Sequence, residues 1–216
     1  MLFALTVVLV LGSCDKAGRV IAPTAAPSAA TSPEQAVRAL EWAFVNRDAD
    51  VLEGLFSSDL LFVTAVDDSA GNSQGESWNR ERLLRTLRTL FEGDPTGAPA
   101  AAKLTLSFDR TLRAAADTRP GMADSTHQAI RTSIDFQVVT DEGSVIDTNG
   151  HVLFYLTRGD AAVLPAGASG DPPPASSARW WISRIDDETL PLGALAPQPS
   201  RNTTLGEILR LYWNPR

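Results

Sequence analysis

A short stretch, Gly71 to Gly75, matches the G-x-S-x-G pattern in which a serine acts as a nucleophile. That chemistry requires the serine, here Ser73, to sit at a sharp turn between a buried parallel strand and a helix. Polar and small residues from Asp67 to Ala70 instead separate the motif from the apolar run before it, and no strand–helix alternation surrounds it. The sequence therefore favours a polar loop over a catalytic serine.

The two histidines, His127 and His151, are further candidates for proton transfer. If a turn at residues 141–144 sets the register of a hairpin, Asp135 and His151 face each other and could act as a general acid–base pair. The alternative is an exposed cross-strand pair of small energetic weight. Strand alternation favours this alternative, because it places Asp135 on the face opposite its apolar neighbours. We therefore predict that both side chains are at least partly exposed and lie outside any pocket, and we assign no catalytic residue.

Metal-binding patterns are not found in this sequence. It contains one cysteine and two distant histidines, which do not have the spacing of zinc ligands. Asp67 and Asp68 alone do not make a calcium loop. We predict no metal site and no cofactor.

Three arginines, Arg82, Arg85 and Arg88, form a basic stripe at helical spacing. The stripe could contact anionic lipid headgroups, or it could be a solvated helix face, which is the interpretation we favour. The formal net charge of −7 argues against a nucleic-acid partner, which would require a basic face. A mean hydropathy of −0.06 argues against a protein with many membrane spans.

Cys14 follows an apolar run and two small residues. The run, Leu2 to Leu11, is too short to span a bilayer, which takes about 20 residues, and fits the apolar region of a signal peptide. Leu11-Gly12-Ser13-Cys14 resembles the bacterial lipobox, in which the cysteine thiol is acylated and the chain is cut before it. No Lys or Arg precedes the run, unlike in most signal peptides, and an N-terminal core strand with a buried cysteine is the alternative. We predict a lipoprotein of the bacterial cell envelope, with lipidation at Cys14 and the membrane as a partner through that anchor.

The whole chain divides into four parts by composition. Residues 1–13 are the predicted signal peptide, and residues 14–31 are the lipidated cysteine and a tether too rich in Ala, Pro, Ser and Thr to form a core. Residues 32–190 are predicted to form one folded domain. Residues 191–216 are predicted to form a spacer and a short helix near residues 204–211.

Apolar stripes at helical spacing predict three helices in the first part of the domain. Their predicted caps are Ser32, Asp50 and Ser77. The second helix is expected to include Phe56, and the third to end near Phe91. The stripes would bury one face of each helix.

After residue 103 the apolar period changes to two, which indicates strands. Strands are predicted over Leu60–Val63, Lys103–Arg110, Ile130–Val138, Val145–Thr157 and Trp180–Ile185. Helices first and strands afterwards predict an α+β domain, with N-terminal helices packed on an antiparallel sheet.

Two segments carry a resemblance to a known family. Residues 33–40 (PEQAVRAL) followed by residues 46–56 (NRDADVLEGLF) resemble the opening of nuclear transport factor 2-like (SnoaL-like, ketosteroid-isomerase-like) domains. The resemblance implies a bent antiparallel sheet and a cystatin-like cone that encloses a pocket. Isomerases of this superfamily pair a carboxylate with a tyrosine or a protonated Asp. Tyr155 and Tyr212 do not stand in a matching context, so no catalytic residue is carried over.

The resemblance and the apolar stripes together predict the lining of that pocket. The expected lining residues are Phe44, Phe56, Leu83, Leu87, Phe108, Ile134, Phe136 and Phe154. Because members of the superfamily include enzymes and binding domains, the fold does not decide the function. We expect a membrane-tethered, non-catalytic domain that binds a small molecule or a protein. The first alternative is an isomerase or hydro-lyase that uses the same pocket, and the second is an envelope assembly or scaffold partner.

Overall fold

The computed structural model describes residues 27, 29–64, 75–95, 97, 99–159, 178–189 and 203–213. The predicted signal peptide, Cys14 and most of the predicted tether lie outside these residues. The elements in chain order are α1 (Pro33–Asn46), α2 (Ala49–Leu55), β1 (Phe56–Val63), β2 (Ser77–Asn79), α3 (Arg80–Glu92), β3 (Lys103–Phe108), β4 (Ala115–Ala116), β5 (His127–Val139), β6 (Val145–Arg158), β7 (Trp180–Asp187) and α4 (Leu205–Arg210).

The first two helices begin at side-chain caps. The Ser32 hydroxyl accepts a hydrogen bond from the Gln35 amide at 3.2 Å, as the sequence predicts. The cap predicted at Asp50 is wrong, because the Asp48 carboxylate accepts from the Val51 amide at 2.9 Å. Asp48 has the extended backbone of a cap, whereas Asp50 lies inside the helix. The chain reverses at Arg47, whose φ of 56° is left-handed.

Two further element boundaries differ from the prediction. Phe56 is the first residue of β1 and not part of the second helix. The cap predicted at Ser77 is also wrong, since Ser77 belongs to β2 and pairs with Val63 of β1. Asn79 caps α3 instead, with its side-chain oxygen 2.9 Å from the Arg82 amide. Strand pairing of Ser77 therefore moves the start of α3 to the next free polar side chain.

The strands form one bent sheet in the order β2-β1-β7-β6-β5-β3, with β4 on β5. All pairs are antiparallel except β1 with β7, which are parallel. The helices pack on one face, where Val37, Leu52 and Leu87 are almost completely buried against inward-facing strand residues such as Phe136. The predicted α+β class, with N-terminal helices packed on a bent and mainly antiparallel sheet, is confirmed.

The hairpin between β5 and β6 has a different register from the one considered above. Asp135 pairs with Asn149, and His151 pairs with Ser133, so the Asp135–His151 pairing is wrong by two residues. The reason is the turn, in which the Thr140 amide donates to the Ser144 carbonyl at 2.9 Å. Ser144 therefore continues the ladder, and the loop contains three residues. Gly143 supplies the left-handed conformation that such a loop requires, with a φ of 82°.

The C-terminal helix α4 packs into the same core as the other elements. Its residues Leu205, Ile208 and Leu209 are buried, and so is Tyr212 just after it. The sequence predicts this helix but not its place in the core. None of the helices in the described ranges is long and apolar enough to cross a membrane.

Candidate functional site

A small cavity of about 40 Å³ lies between the helices and the concave sheet face. Fifteen residues line it, and all of them are leucine, isoleucine, valine or phenylalanine. Each of these side chains is buried. Within the described part of the chain, the cavity wall therefore presents hydrocarbon alone.

The structure places all eight sequence-predicted lining residues around this cavity. Their burial between helices and sheet is confirmed, with Phe108 the most exposed at 9%. Seven further residues line the cavity: Leu40, Phe62, Leu106, Val152, Ile185, Leu205 and Leu209. The first five continue the same stripes and alternations, so the patterns could have identified them. Leu205 and Leu209 carried no such signal, because a short terminal helix can dock anywhere.

Six of the fifteen lining residues are phenylalanines. Phe44 lies edge-on to Phe136 with ring centroids 5.8 Å apart, and Phe108 lies edge-on to Phe154 at 5.4 Å. Edge-to-face pairs of this kind are worth about 0.5–1.5 kcal/mol beyond their burial. The rings fix one another, so the wall between α1 and the sheet is well packed.

Helix α4 closes one side of the cavity. Leu205 and Leu209 are four residues apart, so they lie on the same face of the helix, and both line the cavity. Gly206 lies between them and against Thr64, which directly follows β1, because a Cβ atom at position 206 would be 2.7 Å from both Cβ and Cγ2 of Thr64. The close approach requires glycine at position 206.

Side-chain acceptors hold the first turn of α4. The Gly206 amide donates to the buried Asp187 carboxylate at 2.8 Å, and the Leu205 amide donates to the Thr189 hydroxyl at 2.9 Å. The Thr189 hydroxyl in turn donates to Asp187. Thr204 and Glu207 add a capping box. The first turn of α4 is therefore tied to the end of β7 by a buried carboxylate.

The other end of α4 is held by charge and ring contacts. The Arg210 guanidinium lies 3.0 Å from the Glu76 carboxylate, which also accepts from Arg82. The Arg82 guanidinium lies over the rings of Trp78 and Trp213, at 4.2 and 4.8 Å from their centroids. Burial alone would raise the pKa of Glu76, but the interactions with Trp78, Arg82 and Arg210 outweigh it and hold that pKa below its ordinary value.

The predicted basic stripe on α3 is neutralised in the structure. Besides the contact of Arg82 with Glu76, Arg85 lies 2.8 Å from Glu81, and Arg88 bonds to Glu53. Because each guanidinium already has a carboxylate partner, the stripe does not present a row of free cations to a membrane.

Asp135 and His151 lie outside the cavity, as the alternation of β5 predicts. Asp135 is exposed, His151 is half-buried, and neither lines the cavity. Asp109, which directly follows β3, accepts a hydrogen bond from the Ser133 amide of β5 at 2.8 Å. That backbone hydrogen bond lowers the pKa of Asp109. The arrangement holds two strands together on the outer face of the sheet.

Tyr155 belongs to a second polar cluster on this outer face. The Arg119 guanidinium lies 3.9 Å from the Tyr155 ring centroid and makes a two-pronged ion pair with Asp117. Burial raises the pKa of Tyr155. For Asp117, burial raises the pKa, but the hydrogen bonds from Arg119 outweigh it and lower the pKa overall. Since these side chains point away from the cavity lining, they cannot act on a molecule inside it.

Two other sequence predictions concern the G-x-S-x-G motif and metal ligands. Residues 71–74 of the G-x-S-x-G motif lie outside the described residues, and Gly75 packs against the Thr64 carbonyl. In the parts of the chain that are described, no group of three or more His, Cys, Asp or Glu residues could hold a metal ion.

Comparisons with known proteins give similarities of fold only. No protein-family model and no curated protein matches the sequence. A conserved protein from Planctomyces limnophilus is similar, with 18% identity, coverage of 74% of this chain and 97% of its own, and a TM-score of 0.46. A nuclear transport factor 2-like protein from Salmonella enterica has 13% identity, coverages of 76% and 92%, and a TM-score of 0.44. A ketosteroid isomerase-like protein from Erwinia carotovora has 13% identity, coverages of 71% and 89%, and a TM-score of 0.41.

At these identities the similarities do not indicate what this chain binds or does. The order of its elements supports the fold independently, with three helices before most of a bent, unclosed sheet. The domain thus has the α+β cone architecture that the resemblance to the nuclear transport factor 2-like superfamily predicts.

Proposed function

We propose that this chain is a membrane-tethered lipoprotein whose cone binds an apolar ligand and performs no chemistry on it. One observation carries the proposal, namely that every described residue of the cavity wall is a hydrocarbon side chain. A general acid or base must come within about 2.6–3.2 Å of the proton that it transfers. The described wall contains no group that could do so.

The wall also defines the chemical class of the ligand. Burying a charge or an unpaired polar group in such a cavity is costly, whereas burying an apolar group is favourable. A wall with several phenylalanine rings fits a neutral aliphatic or aromatic group. Charged steroids, acids and phosphates are poor candidates for the same reason.

An enzymatic role lacks the groups that it would require. An isomerase or hydro-lyase needs a carboxylate, imidazole or phenol directed into the pocket. Asp135, His151 and Tyr155 lie on the other face of the sheet, and Tyr212 is buried but does not line the cavity. We therefore prefer binding to catalysis.

The membrane part of the proposal rests on the sequence around Cys14. An apolar run, two small residues and a tether of Ala, Pro, Ser and Thr are the pattern of a lipid-anchored domain. More than one acyl chain gives stable anchoring, since each buried methylene adds about 0.8 kcal/mol. A lipid anchor would hold the cone beside a reservoir of apolar molecules.

Methyl NMR of the full chain carrying Cys14→Ser tests the ligand class, with benzene and benzoate as a matched pair. The substitution removes the acyl chains, which could themselves enter the cavity. We expect saturable shifts at Leu83, Leu87 and Ile134 with benzene and none with benzoate. If benzoate shifts these methyls as benzene does, or if benzene shifts none of them even when α4 is released as described below, the proposed function is wrong.

A further inference from the structure

We propose that α4 is a displaceable plug, and that the ligand takes the space its two leucines now fill. The inference rests on the proposed function, because it concerns access to the same cavity. Leu205 and Leu209 belong to the same wall as Phe56 and Ile185, but they come from a short helix at the end of the described chain. Removing α4 would open the cavity and leave the rest of the wall in place.

The size of the cavity gives the first argument. A cavity of about 40 Å³ has room for only a few waters, whereas an apolar cavity that binds benzene has about 150 Å³. With α4 seated, the cone therefore cannot hold even one aromatic ring. A ligand of any useful size requires one wall to move.

The shortness of α4 makes it the part of the wall that can move. The other walls consist of long strands in a continuous sheet and of two helices of 14 and 13 residues. Helix α4 has six residues, and a helix this short is not stable in water without its docking contacts. Docking and helix formation are therefore one event, and undocking needs no change in the sheet.

The polar contacts that hold α4 can be exchanged for water. Its first turn donates to Asp187 and Thr189, and its last turn pairs Arg210 with Glu76. When α4 leaves, the Asp187 carboxylate and the freed amides become accessible to solvent, so none of them is left buried without a partner. The Arg210–Glu76 pair is already about 40% exposed on each side, and pairs of this kind add little stability.

Gly206 offers a way to release α4 without changing the cone. A methyl group at this position would lie 2.7 Å from two Thr64 carbon atoms. Gly206→Ala should therefore prevent close seating, although alanine favours the helix itself. Gly97→Ala is the matched control, because a Cβ at Gly97 meets nothing within 4 Å. In Thr64→Gly/Gly206→Ala the overlapping atoms are removed from the other side, which should restore the seat.

The test combines amide hydrogen exchange of residues 205–212 with benzene titration of the full chain carrying Cys14→Ser. We expect Gly206→Ala to speed exchange in α4 and to tighten benzene binding about tenfold or more, which corresponds to about 1.4 kcal/mol of lost seating. Gly97→Ala should match the unsubstituted chain, and the double variant should return toward it. Benzene should also speed α4 exchange in the unsubstituted chain.

The outcomes separate the plug from the proposed function. If benzene binds with the same affinity whether or not α4 is seated, the plug is refuted while the apolar site stands. If α4 is released and benzene still does not bind, the proposed function fails, and the plug fails with it as a gate. Because Gly206→Ala could instead unfold the cone, its cooperative urea transition is measured first. If that transition is lost, benzene-induced exchange of α4 in the unsubstituted chain decides the question, and its absence refutes the plug.

Discussion

Phe136→Ala is the sharpest test of the cavity wall. Phe136 is completely buried, lines the cavity and makes an edge-to-face contact with Phe44. Replacing a buried phenylalanine by alanine costs about 3–5 kcal/mol. The new void would join the existing cavity and could not collapse easily, since the surrounding rings already border empty space. We therefore expect the upper half of that range.

The assay is equilibrium unfolding in urea. With an m value of about 2 kcal/mol/M, a loss of about 4–5 kcal/mol lowers the midpoint by about 2–2.5 M. Asp135→Ala is the matched control, because Asp135 is the neighbouring residue on the exposed face of β5 and its loss should change stability by no more than about 0.5 kcal/mol. An unchanged midpoint in Phe136→Ala would show that the ring is not enclosed. Added benzene should recover part of the loss, because a ligand of the folded state stabilises it.

Two further outcomes are expected. Cys14→Ser should release the protein from the membrane fraction, as measured by detergent-free fractionation. The mass of the mature N-terminus shows whether Cys14 is acylated in the unsubstituted protein. The anchor is refuted if the variant stays with the membrane and the unsubstituted protein carries no acyl mass. Hydrogen bonds lower the pKa of Glu207; the largest effect comes from the Thr203 hydroxyl, and Thr204 adds to it. Glu207 in the folded state thus titrates below its unfolded pKa of about 4.3, so its stabilising effect on α4 is present above that pH and is lost as pH falls through the folded value. Hydrogen exchange in α4, corrected for intrinsic rates, should rise below about pH 4, and Glu207→Gln should flatten this response; an equal response in both proteins would contradict the assignment.

Local patterns were enough to predict most of the cavity wall. Phe44, Leu83 and Leu87 follow from helical stripes, and Ile134 and Phe136 follow from strand alternation. These periodicities are properties of neighbouring residues, so a single sequence contains them. The caps could not be predicted in the same way. Asp48 and Asp50 are chemically equal cap candidates, and only the path of the chain at Arg47 determines that Asp48 is the cap.

The register of the central hairpin depended on one conformation. Gly143 in the left-handed region shortens the loop, and the shorter loop moves His151 from Asp135 to Ser133. The local sequence does not fix the length of this loop. The side-chain faces were nevertheless predicted correctly, because a shift of two residues leaves every side chain on the same face of the sheet.

The sequence by itself determined which residues are apolar on one face, and hence the class of the fold and the hydrocarbon character of the cavity. Only the tertiary structure decided that β1 runs parallel to β7, that Glu53 and Glu76 neutralise arginines on α3, and that α4 closes the cavity. These contacts join residues far apart in the chain, and local hydrophobic periodicity carries no information about such long-range contacts. Docking of α4 depends on a glycine that fits against Thr64 and on a carboxylate at the end of β7, and both are recognisable only once the chain has brought them together.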